Sequence, residues 1–203
     1  MKKILFITTS PNGENSFSNK LSNAILEKVT LTYPDSSVSK HNLAQEPLSH
    51  IDDTTLAAFF TPAEHRNETL NNAVKNSDKA INEIMQANII IIGVPFYNFG
   101  IPSTLKAWVD HISRMGITFK YDENGMPRGL VENKKVYLAI ASGGIYSEGP
   151  MKAYDFNDPY LRAILGFLGM TDVTTFRVEG TAIPGMGEMA LSKGLATVNE
   201  FAF

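Results

Sequence analysis

Apolar positions along the chain fall into five short runs, and stretches with a longer apolar period separate them. Lys3 to Thr8 (KILFIT) and Ile89 to Val94 (IIIIGV) are continuous runs, not alternating ones. Short runs rich in β-branched residues read as strands covered on both faces, as in a parallel sheet. The second run stops at Pro95, whose nitrogen cannot donate to a neighbouring strand. Ser37 to Leu43, Lys135 to Ala141 (KVYLAIA) and Asp172 to Val178 read as the remaining strands.

Between the runs the spacing becomes helical. Leu21, Ala24, Ile25 and Lys28 predict a helix to about Val29. Asp52, Asp53 and Thr54 lead into a short helix carrying Leu56, Phe59 and Phe60. Leu70, Ala73, Val74, Ser77, Ala80, Ile81 and Ile84 predict a long amphipathic helix from Pro62 to about Gln86. Thr61-Pro62-Ala63-Glu64 reads as its capping box, with proline at the first helical position. Pro102 and Ser103 start a helix through Lys106, Trp108 and His111, with the serine as cap. Asp158 and Pro159 cap a helix from Tyr160 to about Met170, apolar almost all round, and a terminal helix begins at Gly187. Ile117, Phe119 and Tyr121 alternate with polar residues, turn at Asp122 to Gly125 and return at Gly129 and Leu130, which predicts a hairpin or ordered flap. Five strand–helix alternations without linker or repeat give an α/β fold over residues 1–203: one domain, a doubly wound five-stranded parallel sheet with helices on both faces.

Composition narrows the chemistry. The chain has no cysteine, which excludes disulfides, thiolate metal sites and cysteine catalysis. Its net charge of −3 gives no basic footprint for nucleic acid. After Lys2 and Lys3, only Ile4 to Ile7 precede polar residues, too short a run for a signal peptide, and no run is long enough to span a membrane. The expectation is a cytoplasmic protein. His41, His50, His65 and His111 show no metal spacing, so no metal is expected, and His111 reads as a surface or packing residue. No G-x-S-x-G elbow is present. Gly185-Met186-Gly187-Glu188-Met189-Ala190 looks like a dinucleotide fingerprint, but too few residues follow for the second strand and its ribose-binding acid.

What remains is three loops at the carboxyl ends of strands, where open α/β sheets bind ligands. The first, Thr9 to Ser18, is rich in hydroxyls and amides and leads into a helix N-terminus, a natural anion site; its plain reading is a polar loop with a serine cap. The second, Phe96-Tyr97-Asn98-Phe99-Gly100, is aromatic; Phe96 and Phe99 read equally as core residues under a tight turn. The third, Ser142 to Pro150, carries Gly143 and Gly144, whose role is either close backbone approach or a positive φ. Together the loops suit a phosphorylated planar ring, phosphate in the first and ring in the other two, and FMN fits.

In PFYNFGIPSTLKAWVD, GITFKYDENGMPRGLV, SGGIYSEGP and LGFLGMTDV, in that order, the chain resembles the FMN-dependent NADH:azoreductase/quinone reductase family of flavodoxin-like enzymes. The resemblance implies an FMN-bound homodimer with active sites at the interface, passing two electrons from NADH or NADPH to quinones and azo compounds. By motif position it puts Ser10, Ser16, Phe17 and Ser18 at the phosphate, and Pro95, Phe96, Tyr97, Asn98 and Phe99 along the ring. Ala141, Ser142, Gly143 and Gly144 fall at the pyrimidine end, and Asn98, Tyr121, Phe167 and Phe60 on the substrate side. Many members carry Ser-Arg-Gly-Gly where this chain has Ala141-Ser142-Gly143-Gly144, so the hydroxyl moves by one residue and a cation is lost. Since the cofactor carries the hydride chemistry, no catalytic side chain is expected. A flavodoxin-type electron carrier and a non-flavin acyl-carrier hydrolase stand as alternatives.

Overall fold

The computed structural model describes residues 1–203. Strands β1 (Lys3–Thr8), β2 (Ser37–Asn42), β3 (Ile89–Pro95), β6 (Lys135–Ser142) and β7 (Asp172–Glu179) form a parallel sheet in the order β2-β1-β3-β6-β7. That is the flavodoxin-like order, with its switch point between β1 and β3. The continuous apolar runs are explained by burial on both faces. Ile4, Phe6, Ile89 and Ile91 point into one core with Leu21, Ile25 and Val29 of helix α1 (Phe17–Thr32) and Val198 of helix α6 (Gly187–Glu200). Leu5, Ile7, Ile90 and Ile92 point the other way, into a core with Ile81 and Ile84 of α3 (Glu68–Gln86), Trp108 of α4 (Ser103–Ile112) and Leu161 of α5 (Asn157–Phe167).

Three helix starts differ from the sequence expectation. Residues Ala63–His65 form one 3₁₀ turn, and α3 begins at Glu68, where Asn67 accepts from the Leu70 N–H at 2.9 Å. The expected capping box fails because Thr61 donates its hydroxyl backward, to the Ala57 carbonyl at 2.8 Å, at the end of helix α2 (Asp53–Phe60). Helix α5 begins three residues before Tyr160, because the Asp155 carboxylate, not Asp158, accepts from the first N–H groups, those of Asn157 and Asp158. It is also one-sided: Leu161 and Leu165 are buried while Arg162 and Ala163 are exposed. Ser103 is inside α4 and makes no cap bond; extended Pro102 holds the cap position.

The hairpin is present as β4 (Phe119–Tyr121) and β5 (Pro127–Gly129), paired antiparallel. Its root is fixed by buried Thr118, which donates to the Ile112 carbonyl at 2.6 Å and accepts from the Arg114 N–H at 2.9 Å. Its far side lies flush on the turn after α5, where a Cβ on Gly129 would come within 2.1 Å of the Gly169 nitrogen. His111 is a packing residue: its Nε2 faces the Ser49 carbonyl at 2.9 Å and its ring meets Phe59 edge-on. No helix is long and apolar enough to cross a membrane.

Candidate active site

Neighbouring strands β1, β3 and β6 deliver the three loops side by side at their carboxyl ends. Two bonds tie the loops to the sheet. The Thr9 hydroxyl donates to the Gly93 carbonyl at 2.7 Å, and the Phe96 N–H donates to the Ala141 carbonyl at 2.8 Å. Gly93 sets how closely α1 approaches β3, since a Cβ there would lie 3.0 Å from the Ser22 hydroxyl.

In the first loop Ser10, Ser16 and Ser18 are all buried. The Ser16 and Ser18 hydroxyls are 3.0 Å apart and bonded to each other, while Ser10 Oγ accepts from the Asn12 N–H at 3.3 Å. Ser16 is the N-cap of α1, accepting from the Asn19 N–H at 3.3 Å. The cap reading and the anion reading are therefore the same structure. Phe17 and Ser18 open the 16-residue helix, and their N–H groups donate to nothing in the chain. Hydroxyls and free N–H groups converge at the positive end of a helix dipole, the arrangement that receives phosphate.

The second loop is strained. Pro95 is buried and Phe96 half-buried, while Tyr97, Asn98 and Phe99 face outward. Tyr97 and Gly100 exchange N–H to carbonyl bonds at 3.0 and 2.9 Å across a two-residue turn. Asn98 has φ 50° and Phe99 φ 67°. Positive φ at both central residues defines a type I′ turn. Asparagine tolerates that conformation; phenylalanine does not, and such strain gathers at functional sites. The turn keeps a phenyl ring 42 % exposed at the rim of the site instead of in the core.

The third loop presents backbone donors. The carbonyls of Ser142, Gly143 and Gly144 accept from the N–H groups of Thr181, Ala182 and Gly180 at 3.2, 3.0 and 3.0 Å. The N–H groups of Gly143 and Gly144 have no partner in the chain. Neither glycine has a positive φ; both serve close approach. A Cβ on Gly143 would lie 3.1 Å from the Ala182 Cβ, and one on Gly144 would lie 3.0 Å from the Tyr146 ring. The displaced hydroxyl of Ser142 is spent internally, donating to the Gly144 carbonyl at 2.8 Å. It holds the loop's shape and does not replace a lost cation.

The expected substrate-side residues do not gather within one chain. Tyr121 and Phe167 both pack on Phe119, at ring distances of 5.9 and 4.6 Å. Phe60 ends α2 with 69 % of its surface exposed and pairs with no ring. A separate aromatic group, Phe96, Phe99, Tyr146 and Tyr154, surrounds the second and third loops. Sequence reasoning passed over two of its supports. Tyr146 sits in the third loop without a spacing that singles it out. Glu179, at the end of β7, accepts from the N–H groups of Tyr146 and Ser147 at 2.8 and 2.9 Å and from the Ser147 hydroxyl. A carboxylate ending the edge strand was the only signal it gave.

Buried hydroxyls and free N–H groups at a helix N-terminus, beside an aromatic loop at the carboxyl end of a β2-β1-β3-β6-β7 parallel sheet, are features of a flavodoxin-like ligand-binding protein. Residues 2–201 match the Flavodoxin_2 family, described by its flavodoxin-like fold. The chain is 47 % identical over 201 residues to the FMN-dependent NADH:quinone oxidoreductase of Herminiimonas arsenicoxydans, covering 98 % of both. The crystal structure of azoreductase from Bacillus anthracis str. Sterne superposes with a TM-score of 0.89 at 31 % identity, covering 99 % of this chain and 100 % of that one. An FMN-dependent NADH-azoreductase from Bacillus anthracis str. Ames Ancestor, in complex with FMN, gives a TM-score of 0.88 at 27 % identity, covering 98 % of this chain and 97 % of that one. The chain belongs to the FMN-dependent NADH:quinone oxidoreductase and azoreductase family of flavodoxin-like proteins.

Proposed function

We propose that residues 1–203 act as one FMN-binding domain of a cytoplasmic, homodimeric oxidoreductase, passing two electrons from NADH or NADPH to quinones and azo compounds by a ping-pong mechanism. The observation that carries this reading is the convergence at adjacent strand ends of two kinds of group. Buried serine hydroxyls and free N–H groups lie at the start of α1, and unpartnered Gly143 and Gly144 N–H groups lie beside an aromatic slot. The phosphate takes the hydroxyls of Ser10, Ser16 and Ser18 and the N–H groups of Phe17 and Ser18. Pro95 to Phe99 line the ring, and Ala141 to Gly144 meet its pyrimidine edge. When bound, FMN supplies two-electron transfer. The chain's own part is to position both reactants against one ring face and to exclude water.

No side chain is assigned as catalytic; solvent protons suffice. The serines hydrogen-bond to one another and to backbone, and no histidine or carboxylate is bonded to them, which disfavours an activated nucleophile and hence a hydrolase. Asn98, Tyr121, Phe167 and Phe60 serve the substrate side across the dimer. The exposure of the large apolar side chains Tyr97, Phe99, Tyr121, Phe60 and Met115 supports a contact surface, because exposed apolar groups of this size mark contact sites.

One ring shared in turn by donor and acceptor gives parallel double-reciprocal plots with NADH and a quinone. Intersecting plots contradict it. Sedimentation is expected to show a dimer, and an active monomer contradicts the interface-built site.

A further inference from the structure

The Tyr146 ring lies flat on Phe96, with centroids 4.2 Å apart and planes 19° from parallel. Paired aromatic side chains usually sit about 4.5–7 Å apart in offset or edge-on geometry, so this contact is unusually close. The Tyr146 ring also abuts Gly144. A Cβ there would stand 3.0 Å from Cε2 and 3.3 Å from the phenol oxygen. Phe99 meets the ring edge-on at 6.2 Å. Tyr146 therefore fills the space between the aromatic loop and the glycine loop, which is the slot that the proposed function gives to the isoalloxazine.

How the residue is held tells which part can move. Its backbone is fixed, because the N–H donates to Glu179 Oε1 at 2.8 Å and the next residue is bound to the same carboxylate. Its side chain is held by ring contacts only: the phenol hydroxyl makes no hydrogen bond in the chain, while Phe96 stacks on the ring and Phe99 meets it edge-on. A staggered χ1 change about a fixed backbone takes the ring out of the slot without unfolding the loop.

We infer that Tyr146 is a built-in competitor of the flavin ring: it occupies the slot in the closed conformer and must swing aside before FMN seats. The inference rests on the flavin reading above. It assigns this chain's own tyrosine a part in the rate of cofactor capture. When a binding-competent conformer is a minor one, apparent affinity and association rate fall by its population, and removing the competitor restores them.

The test is stopped-flow quenching of FMN fluorescence by the full chain freed of flavin, for wild type, Tyr146→Ala, Tyr146→Ser and Tyr146→Phe. Buried Trp108 reports by its own emission that each variant is folded. Minor conformers are commonly populated at no more than about 10 %, so Tyr146→Ala and Tyr146→Ser are expected to bind FMN on the order of ten-fold faster. Tyr146→Phe keeps the stack and is expected to bind at the wild-type rate. If wild type binds FMN and the Ala or Ser variant is no faster, the competitor role is wrong while the flavin reading stands. If the smaller side chains instead speed dissociation and weaken binding, Tyr146 is a direct support of the ring and the inference is overturned. A wild-type chain that does not quench FMN at all overturns both.

Discussion

The serine loop and the ring slot sit at the ends of neighbouring strands, yet they are built on opposite plans. The serine loop is finished: its hydroxyls are buried, bonded to each other and to backbone, and fixed on the first turn of a 16-residue helix. The ring slot is provisional. It is bounded by a type I′ turn with a phenylalanine at φ 67° and occupied by a tyrosine ring held by ring contacts, without a hydrogen bond from its hydroxyl. The ligand's chemistry explains the contrast. A phosphate is recognised by donors whose positions must be set in advance, because reorienting dipoles costs free energy at the moment of binding. A planar ring is recognised by faces and edges, and the same faces must afterwards admit a second planar molecule.

Removing hydroxyls breaks this contrast most sharply. Hydrogen bonds to a charged group are worth about 1.5–3 kcal/mol each, and 1.4 kcal/mol is about ten-fold in affinity. Ser16→Ala combined with Ser18→Ala is therefore expected to weaken FMN binding roughly a hundred-fold. Riboflavin, which has no phosphate, should bind the variant and the wild type alike. Fluorescence titration with both flavins checks it, and equal losses for the two would mean the serines do not face the phosphate.

Gly144→Val should act on the ring half alone. The added β-branched group would narrow the space that the ring takes beside the glycine loop, and overpacking of this kind costs about 1–3 kcal/mol. FMN and riboflavin should then lose affinity together, roughly ten-fold or more. A selective loss of FMN would place Gly144 on the phosphate side instead.

Smaller still is the effect of relieving the turn. An ordinary side chain in the left-handed region costs about 1–2 kcal/mol, and asparagine followed by glycine is the preferred type I′ pair. Phe99→Gly should raise the melting temperature by about 2–4 °C for a chain of this size while lowering turnover, since the rim ring is lost. A variant that melts lower would show that the Phe99 stack outweighs the strain.

The same contrast decides what could be read without coordinates. The strands were legible because β1, β3 and β6 are buried on both faces and leave unbroken apolar runs. The long helix was legible in its body, where Val74, Ala80, Ile81 and Ile84 keep the apolar period, but not at its start. There Thr61 turned back to end the preceding helix, a choice among nearby carbonyls that spacing does not encode. The serine loop could be placed because hydroxyl residues ahead of an apolar helical period mark a helix start, where Ser16 is indeed the cap. The aromatic and glycine loops were visible as a place for a planar ring, but the residues assigned to each edge of it came by resemblance, and Tyr146 and Glu179 escaped altogether. Their roles depend on β7 lying beside β6, a neighbourhood that no local pattern records.

Among all measurements, an anaerobic spectral titration of the FMN-loaded protein bears most directly on the central claim, that these loops hold a flavin which takes electrons from reduced nicotinamide and passes them on. One equivalent of NADH is expected to bleach the flavin absorbance completely. One equivalent of a quinone, added after the nicotinamide is removed, is expected to restore it. A flavin that stays oxidised with excess NADH, or that once reduced is not reoxidised by quinone, would contradict the account.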